Sequence, residues 1–144
     1  MHKYFEQDVY DQYDAKAKAA AQKFWRSIGY DCIENPDLFG VDLLVEGKNK
    51  SFGCEVEVKL GWHGPEFPFP SLRLPYRKKK FTDNPCHFFV LNQSMTHAAL
   101  ISRRAVVASP VEIVPNVKVP SGEKFYLVSN RAIQLINLLA KPPK

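Results

Sequence analysis

The stretch GVDLLVEGKNKSFGCEVEVKL, residues 40–60, decides how the rest of the chain is read. Val41 to Val45 has strand composition, EGKNKS supplies a turn, and Phe52 to Leu60 alternates: Cys54, Val56, Val58 and Leu60 on one face, Glu55, Glu57 and Lys59 on the other. Two strands joined by so short a turn pair antiparallel. Counting outward from a turn centred near Asn49 puts Asp42 opposite roughly 56–57, beside the Glu57–Lys59 end. Polar groups on a strand that belongs in the interior cost several kcal/mol (about 2–7 for a neutral group) unless they pair or bind a metal. The spacing alone suits equally a surface strand whose Glu and Lys make cross-strand ion pairs.

Outward from this hairpin, residues from about Tyr10 to Gly29 read as a helix, with Ala17, Ala20, Ala21, Phe24, Trp25 and Ile28 recurring at three- and four-residue steps and Gly29 as its stop. A short strand lies in YDCIE, before the Asn35-Pro36-Asp37 turn. Residues 61–85 hold five prolines among Trp62, Phe67, Phe69, Tyr76 and Phe81, and read as a long Pro/aromatic/basic loop. His87 to Leu91 is a buried-type strand, Ala98 to Val107 a strand followed by a short helix, Val111–Val114 and Lys124–Val128 edge strands, and Ala132–Ala140 a C-terminal helix. The expectation is one α/β (α+β) domain over residues 1–144, the length of a single core.

Charge is divided unevenly. Residues 1–57 carry 11 acids and 7 bases, residues 58–144 carry 4 acids and 13 bases, and the sum is +5. Such a basic second half suits a polyanion, because lysines and arginines that neutralise phosphates release counterions; a basic surface kept for solubility explains it equally. Arg73, Arg77, Lys78, Lys79 and Lys80 are the expected phosphate contacts, with Trp62 and Tyr76 available to stack on bases. Arg103 and Arg104 are further candidates, and His63 a candidate proton relay. Cys32, Cys54 and Cys86 have no zinc-ligand spacing and are expected as reduced, mostly buried thiols. No apolar run approaches the roughly 20 residues that cross a bilayer, and the polar, acidic MHKYFEQDVYDQYD is not a secretory leader, so no membrane partner and a cytoplasmic location are expected.

Asp42 in GVDLLV, followed fifteen residues on by Glu57-Val58-Lys59 and preceded by a helix, resembles the PD-(D/E)XK nuclease superfamily over about residues 10–60. The resemblance implies a restriction-endonuclease-like central mixed β-sheet flanked by helices. It also implies Mg²⁺-dependent hydrolysis of DNA phosphodiester bonds, with Mn²⁺ able to substitute. Carried over position by position, Asp42, Glu57 and Lys59 are the catalytic residues. Asp42, Glu57 and the Val58 backbone carbonyl would hold the metal, with Glu55 and Asp14 as further candidates; Glu55 reads equally as an ion-pair partner of Lys59 or Arg77. Asp11 is the runner-up to Asp14, and both equally read as favourable charges near a helix N-terminus. Asp37 of the literal Pro36-Asp37 is set aside as a turn residue. The implied activity is an endonuclease, either structure-selective in the manner of a Holliday-junction resolvase or a small restriction or mobile-element nuclease. A homodimer is expected, since one site cuts one strand. The alternative is a non-catalytic nucleic-acid-binding module of the same fold.

Overall fold

The computed structural model describes residues 2–115, 117 and 119–140, with residues 2–11 described by backbone alone. Helix α1 runs His2–Ser27, longer at its start than the periodicity predicts. Ala17 and Ala21 are buried with Trp25 on its inner face, small residues that let the helix lie close to the sheet beneath. Gly29, at φ 100°, takes the left-handed position that ends it, and the Tyr30 N–H closes the cap on the Trp25 carbonyl at 3.1 Å.

The strands are β1 (Asp31–Glu34), β2 (Leu43–Glu46), β3 (Ser51–Lys59), β4 (Ser71–Pro75), β5 (Cys86–Asn92), β6 (His97–Ser102), β7 (Val111–Val114), β8 (Glu123–Ser129) and β9 (Gln134–Asn137). A six-stranded mixed sheet has the order β1-β2-β3-β5-β6-β9, and a three-stranded sheet the order β4-β8-β7. Only β3 and β5 are parallel; every other adjacent pair is antiparallel. The protein is thus a mixed α/β structure of the α+β class.

Alternation along the central strands divides the core in two. Cys54 and Val56 of β3 and Phe89 and Leu91 of β5 pack under α1. Phe88 and Val90 point the other way, onto Leu72, Leu74, Tyr126 and Val128 of the small sheet and Val106 of α2 (Arg103–Val107). Strand β5 is therefore apolar on both faces, as a strand covered on both sides must be, whereas β3 turns Glu55, Glu57 and Lys59 to the second side.

Four sequence expectations need correction. The segment Lys124–Val128 is not an edge strand, because β8 lies between β4 and β7 and pairs with both. The second face is covered by a β-layer and one five-residue helix rather than by flanking helices. The segment 61–85 is a folded crossover containing β4 and a 3-10 helix, Tyr76–Asp83, because Leu72 and Leu74 are core residues two apart among prolines that mask the strand pattern. The expected helix Ala132–Ala140 is absent: Ala132 ends a 3-10 turn, Asn130–Ala132, and β9 then pairs with β6, Leu135 opposite Ala99, so that the apolar run completes a sheet edge. The three cysteines are free and buried, as expected. No described helix is long and apolar enough to cross a membrane.

Candidate functional site

The site arises from a mismatch in strand length. Rungs between β2 and β3 run from Glu46–Ser51 to Leu43–Cys54 and stop there, while β3 continues five residues further against β5. Gly53 makes the departure possible, since a Cβ there would lie 2.6 Å from Val41 Cγ2. Where the ladder stops, two carboxylates take over. The Asp42 N–H donates to Glu55 Oε2 at 2.9 Å, and the Val56 N–H donates to Asp42 Oδ2 at 2.8 Å.

Asp42 thus meets Glu55, and the sequence expectation of 56–57 is off by one to two positions. The turn is Gly47–Lys50, closed by Gly47 N–H to the Lys50 carbonyl at 2.8 Å, so its centre falls before Asn49. A half-residue error in the centre shifts the partner by a full residue, and a one-residue shift changes the face. Glu57 and Lys59 follow Glu55 along the same face, further from the end of β2.

Glu55 is 5% exposed, an unusual place for a carboxylate. Lys78, from the 3-10 helix, donates to its Oε1 at 2.6 Å. Burial, and then the charge of Asp42, push the Glu55 carboxyl up to about 7 despite the pull of Lys78 and the hydrogen bonds. Burial works against the Lys78 ammonium, but Glu55, Glu57 and Asp42 outweigh it and raise its pKa. Lys78 is therefore an internal counter-ion rather than the free phosphate contact expected of it. On the helix side, Lys18 Nζ lies 3.1 Å from Asp14 and 4.0 Å from Asp42, so Asp14 reaches the site only through a lysine. The Asp11 side chain lies outside the described residues.

Glu57 and Lys59 line a neighbouring depression of about 360 Å³ with Arg73, Val90 and Phe125. Burial lowers the Lys59 pKa; Glu57 opposes that effect and Arg73 adds to it. One face thus carries a strip of mixed charge from Asp42 through Glu55, Lys78, Glu57 and Lys59 to Arg73. Among the described residues, no group of three or more His, Cys, Asp or Glu side chains converges as a metal-binding set. Val58 lies in the part of β3 that has passed the last β2 rung.

Arg73, Arg77, Lys79 and Lys80 are exposed, as phosphate contacts require. Tyr76 stacks on Tyr126 at 5.2 Å between centroids, with Lys79 and Lys124 both 5.6 Å from its ring. Trp62 does not fit the stacking role: it is 0% exposed, and its indole N–H donates to the Glu66 carbonyl at 2.8 Å. An indole anchoring a Pro-rich crossover and one displayed for a base look alike in sequence. His63 bonds Gln93 at 2.6 Å on the surface. Sequence reading gave too little weight to Glu55, missed Lys18, and assigned Lys78 the wrong partner. The alternation of β3 marked Glu55, but only the true register joins it to Asp42. Comparison with family models, curated proteins and solved structures finds no match.

Proposed function

We propose that this chain is a metal-dependent nuclease of the PD-(D/E)XK kind, with a restriction-endonuclease-like fold, hydrolysing phosphodiester bonds in DNA. The observation that carries the reading is the pairing of Asp42 with Glu55 at the end of β2, with Glu57 and Lys59 next along the same strand face. The order helix, three antiparallel strands, then a strand parallel to the third supports it as well. So do the exposed bases of residues 73–80, which suit a DNA partner.

The donor set fits a hard divalent cation. Mg²⁺ uses one or two carboxylates and leaves its other positions to water and phosphate oxygens. Asp42 and Glu55 would hold it, and Glu57 stands nearby as a further carboxylate. When bound, such an ion polarises the phosphate and acidifies a water. Lys78 holds Glu55 in place, as the 2.6 Å contact indicates. Lys59 and Arg73 share a depression in which a phosphate would find two cations. On this reading Glu55, the residue paired with Asp42, takes the metal-holding role in place of Glu57, and Lys59 remains the lysine of the reaction.

Plasmid nicking tests the proposal. Wild type with Mg²⁺ or Mn²⁺ should nick supercoiled DNA, and chelator should stop it. Asp42→Asn, Glu55→Gln and Lys59→Ala should each slow cleavage by about 100-fold or more, the usual effect of removing one electrostatic stabiliser of a transition state. Lys59→Ala cutting at the parental rate would refute the assignment. A second reading, a nucleic-acid-binding module without catalysis, is favoured by Lys78 and Lys18, which already balance the two carboxylates. It predicts binding indifferent to chelator and no nicking. A homodimer would be needed to cut both strands of a duplex or junction.

A further inference from the structure

Three residues before Asp42, the chain displays two apolar side chains to water. Leu38 is 92% exposed and Phe39 86%, values unusual for such residues side by side. They stand on a braced turn. The Asp37 N–H donates to Asn35 Oδ1 at 3.1 Å, the Phe39 N–H to Asp37 Oδ1 at 3.0 Å, and the Gly40 N–H to the Asp37 carbonyl at 3.1 Å. The base of the turn is tied by the Asn35 N–H to the Asp42 carbonyl at 3.0 Å. The tip is therefore fixed relative to Asp42, and Phe39 lies within about 11 Å of it along the backbone (three Cα steps of 3.8 Å). That is the rise of about three stacked bases at roughly 3.4 Å each.

Its surroundings select the occupant. Phe39 lines a depression of about 520 Å³ with Lys80, Phe81 and Asn84, and Glu46 is its one acidic lining residue. Lys80 sits 4.9 Å from the Phe81 ring, and Arg77 and Lys79 are exposed on the same 3-10 helix. An aromatic tip across a depression from a cationic helix complements a strand carrying phosphates on one side and bare bases on the other. A protein surface would have to supply acids and an apolar patch together.

We infer that Phe39, beside Leu38, is a stacking platform for an unpaired base close to the carboxylate site at Asp42. The inference rests on the nuclease reading and narrows its substrate to nucleic acid with unstacked bases, such as single strands, flaps or junctions, in preference to intact duplex. Phe39 acts as a specificity residue; the proton and bond changes belong to the carboxylate site.

The test measures binding by fluorescence anisotropy in EDTA, with fluorescein-labelled oligothymidylate and a blunt hairpin duplex as probes. Phe39→Ala should bind the oligothymidylate about 5- to 100-fold more weakly, the usual loss when one base–aromatic stack is removed. Phe39→Leu should lose as much, Phe39→Trp should bind like wild type, and the duplex should not respond to any of them. Because the side chain is exposed, thermal unfolding should be unchanged, so weaker binding cannot be ascribed to misfolding. Phe39→Ala binding the oligothymidylate as tightly as wild type, or losing equally on duplex, would overturn the inference. So would a change from dimer to monomer in gel filtration, which would make the tip a contact between copies. If wild type binds oligothymidylate through Phe39 yet never nicks DNA with Mg²⁺, the nuclease reading falls and the stacking platform stands.

Discussion

Replacing Lys78 with methionine should destabilise the protein by an amount that depends on pH, and the dependence can be worked from one carboxyl group. Methionine keeps the apolar stem and removes only the ammonium that touches Glu55 at 2.6 Å. In the folded chain Glu55 holds its proton up to about pH 7; in the unfolded chain it releases it near the ordinary 4.3 or so. Its contribution to stability therefore falls as pH rises between those values and is level above them. Without Lys78 the folded pKa moves higher still, and the fall continues above pH 7. At pH 7 half of the Glu55 carboxyls are already protonated, so completing the protonation adds only about 0.4 kcal/mol. At pH 9 the same neutralisation costs up to about 2.7 kcal/mol, two pH units at about 1.4 kcal/mol each. Urea denaturation at both pH values, with chelator present, measures the difference. In a Glu55→Gln background the Lys78→Met loss should no longer depend on pH, which completes a double-mutant cycle. A loss of equal size at pH 7 and pH 9 in the parental background would refute the reasoning, leaving Lys78 with a packing role alone.

Trp62→Ala should cost about 3–5 kcal/mol in urea denaturation, as truncation of a buried aromatic does; weaker DNA binding at unchanged stability would instead restore Trp62 to the interface. Gly53→Ala should cost about 1–3 kcal/mol, because its Cβ would overlap Val41, and thermal melts showing parental stability would mean that Val41 moves aside freely. Burial, and then Lys50, lower the His87 pKa, so the folded chain resists the proton that the unfolded chain takes up near 6.5. The His87 contribution is then fully present above about pH 6.5 and lost as the solution is acidified. His87→Phe, which keeps the ring contacts with Trp25 and Phe52, should flatten thermal stability between pH 6.5 and pH 5; an unchanged slope would count against this.

Local patterns with a single period survived intact from sequence to structure. The Ala17/Ala21/Trp25 stripe and the alternation of β3 were each readable from spacing, because each depends on neighbours within one element. Strand β4 and strand β9 were not, since Leu72 and Leu135 find their partners far along the chain, opposite Val128 and Ala99. Of the site, Asp42 and the acidic face of β3 were legible. The pairing of Asp42 with Glu55 was not, because it turns on a half-residue in the turn centre. The ion pair to Lys78 was hidden for another reason: a run of four bases gives no sign of which member turns inward.

The crossover that separates the parallel strands carries a consequence for how the chain is made. Strand β4 finds its hydrogen-bonding partner only in β8, so a growing chain that has not yet reached Glu123 has no template for it. Lys78 follows β4 directly and is held by the same layer. An emerging polypeptide can therefore assemble the acidic hairpin early, while its neutralising lysine waits until β8 has been made. Contacts of such long sequence separation also slow refolding. A cell producing this protein would meet a transient in which the charged pocket exists before its lid of cations.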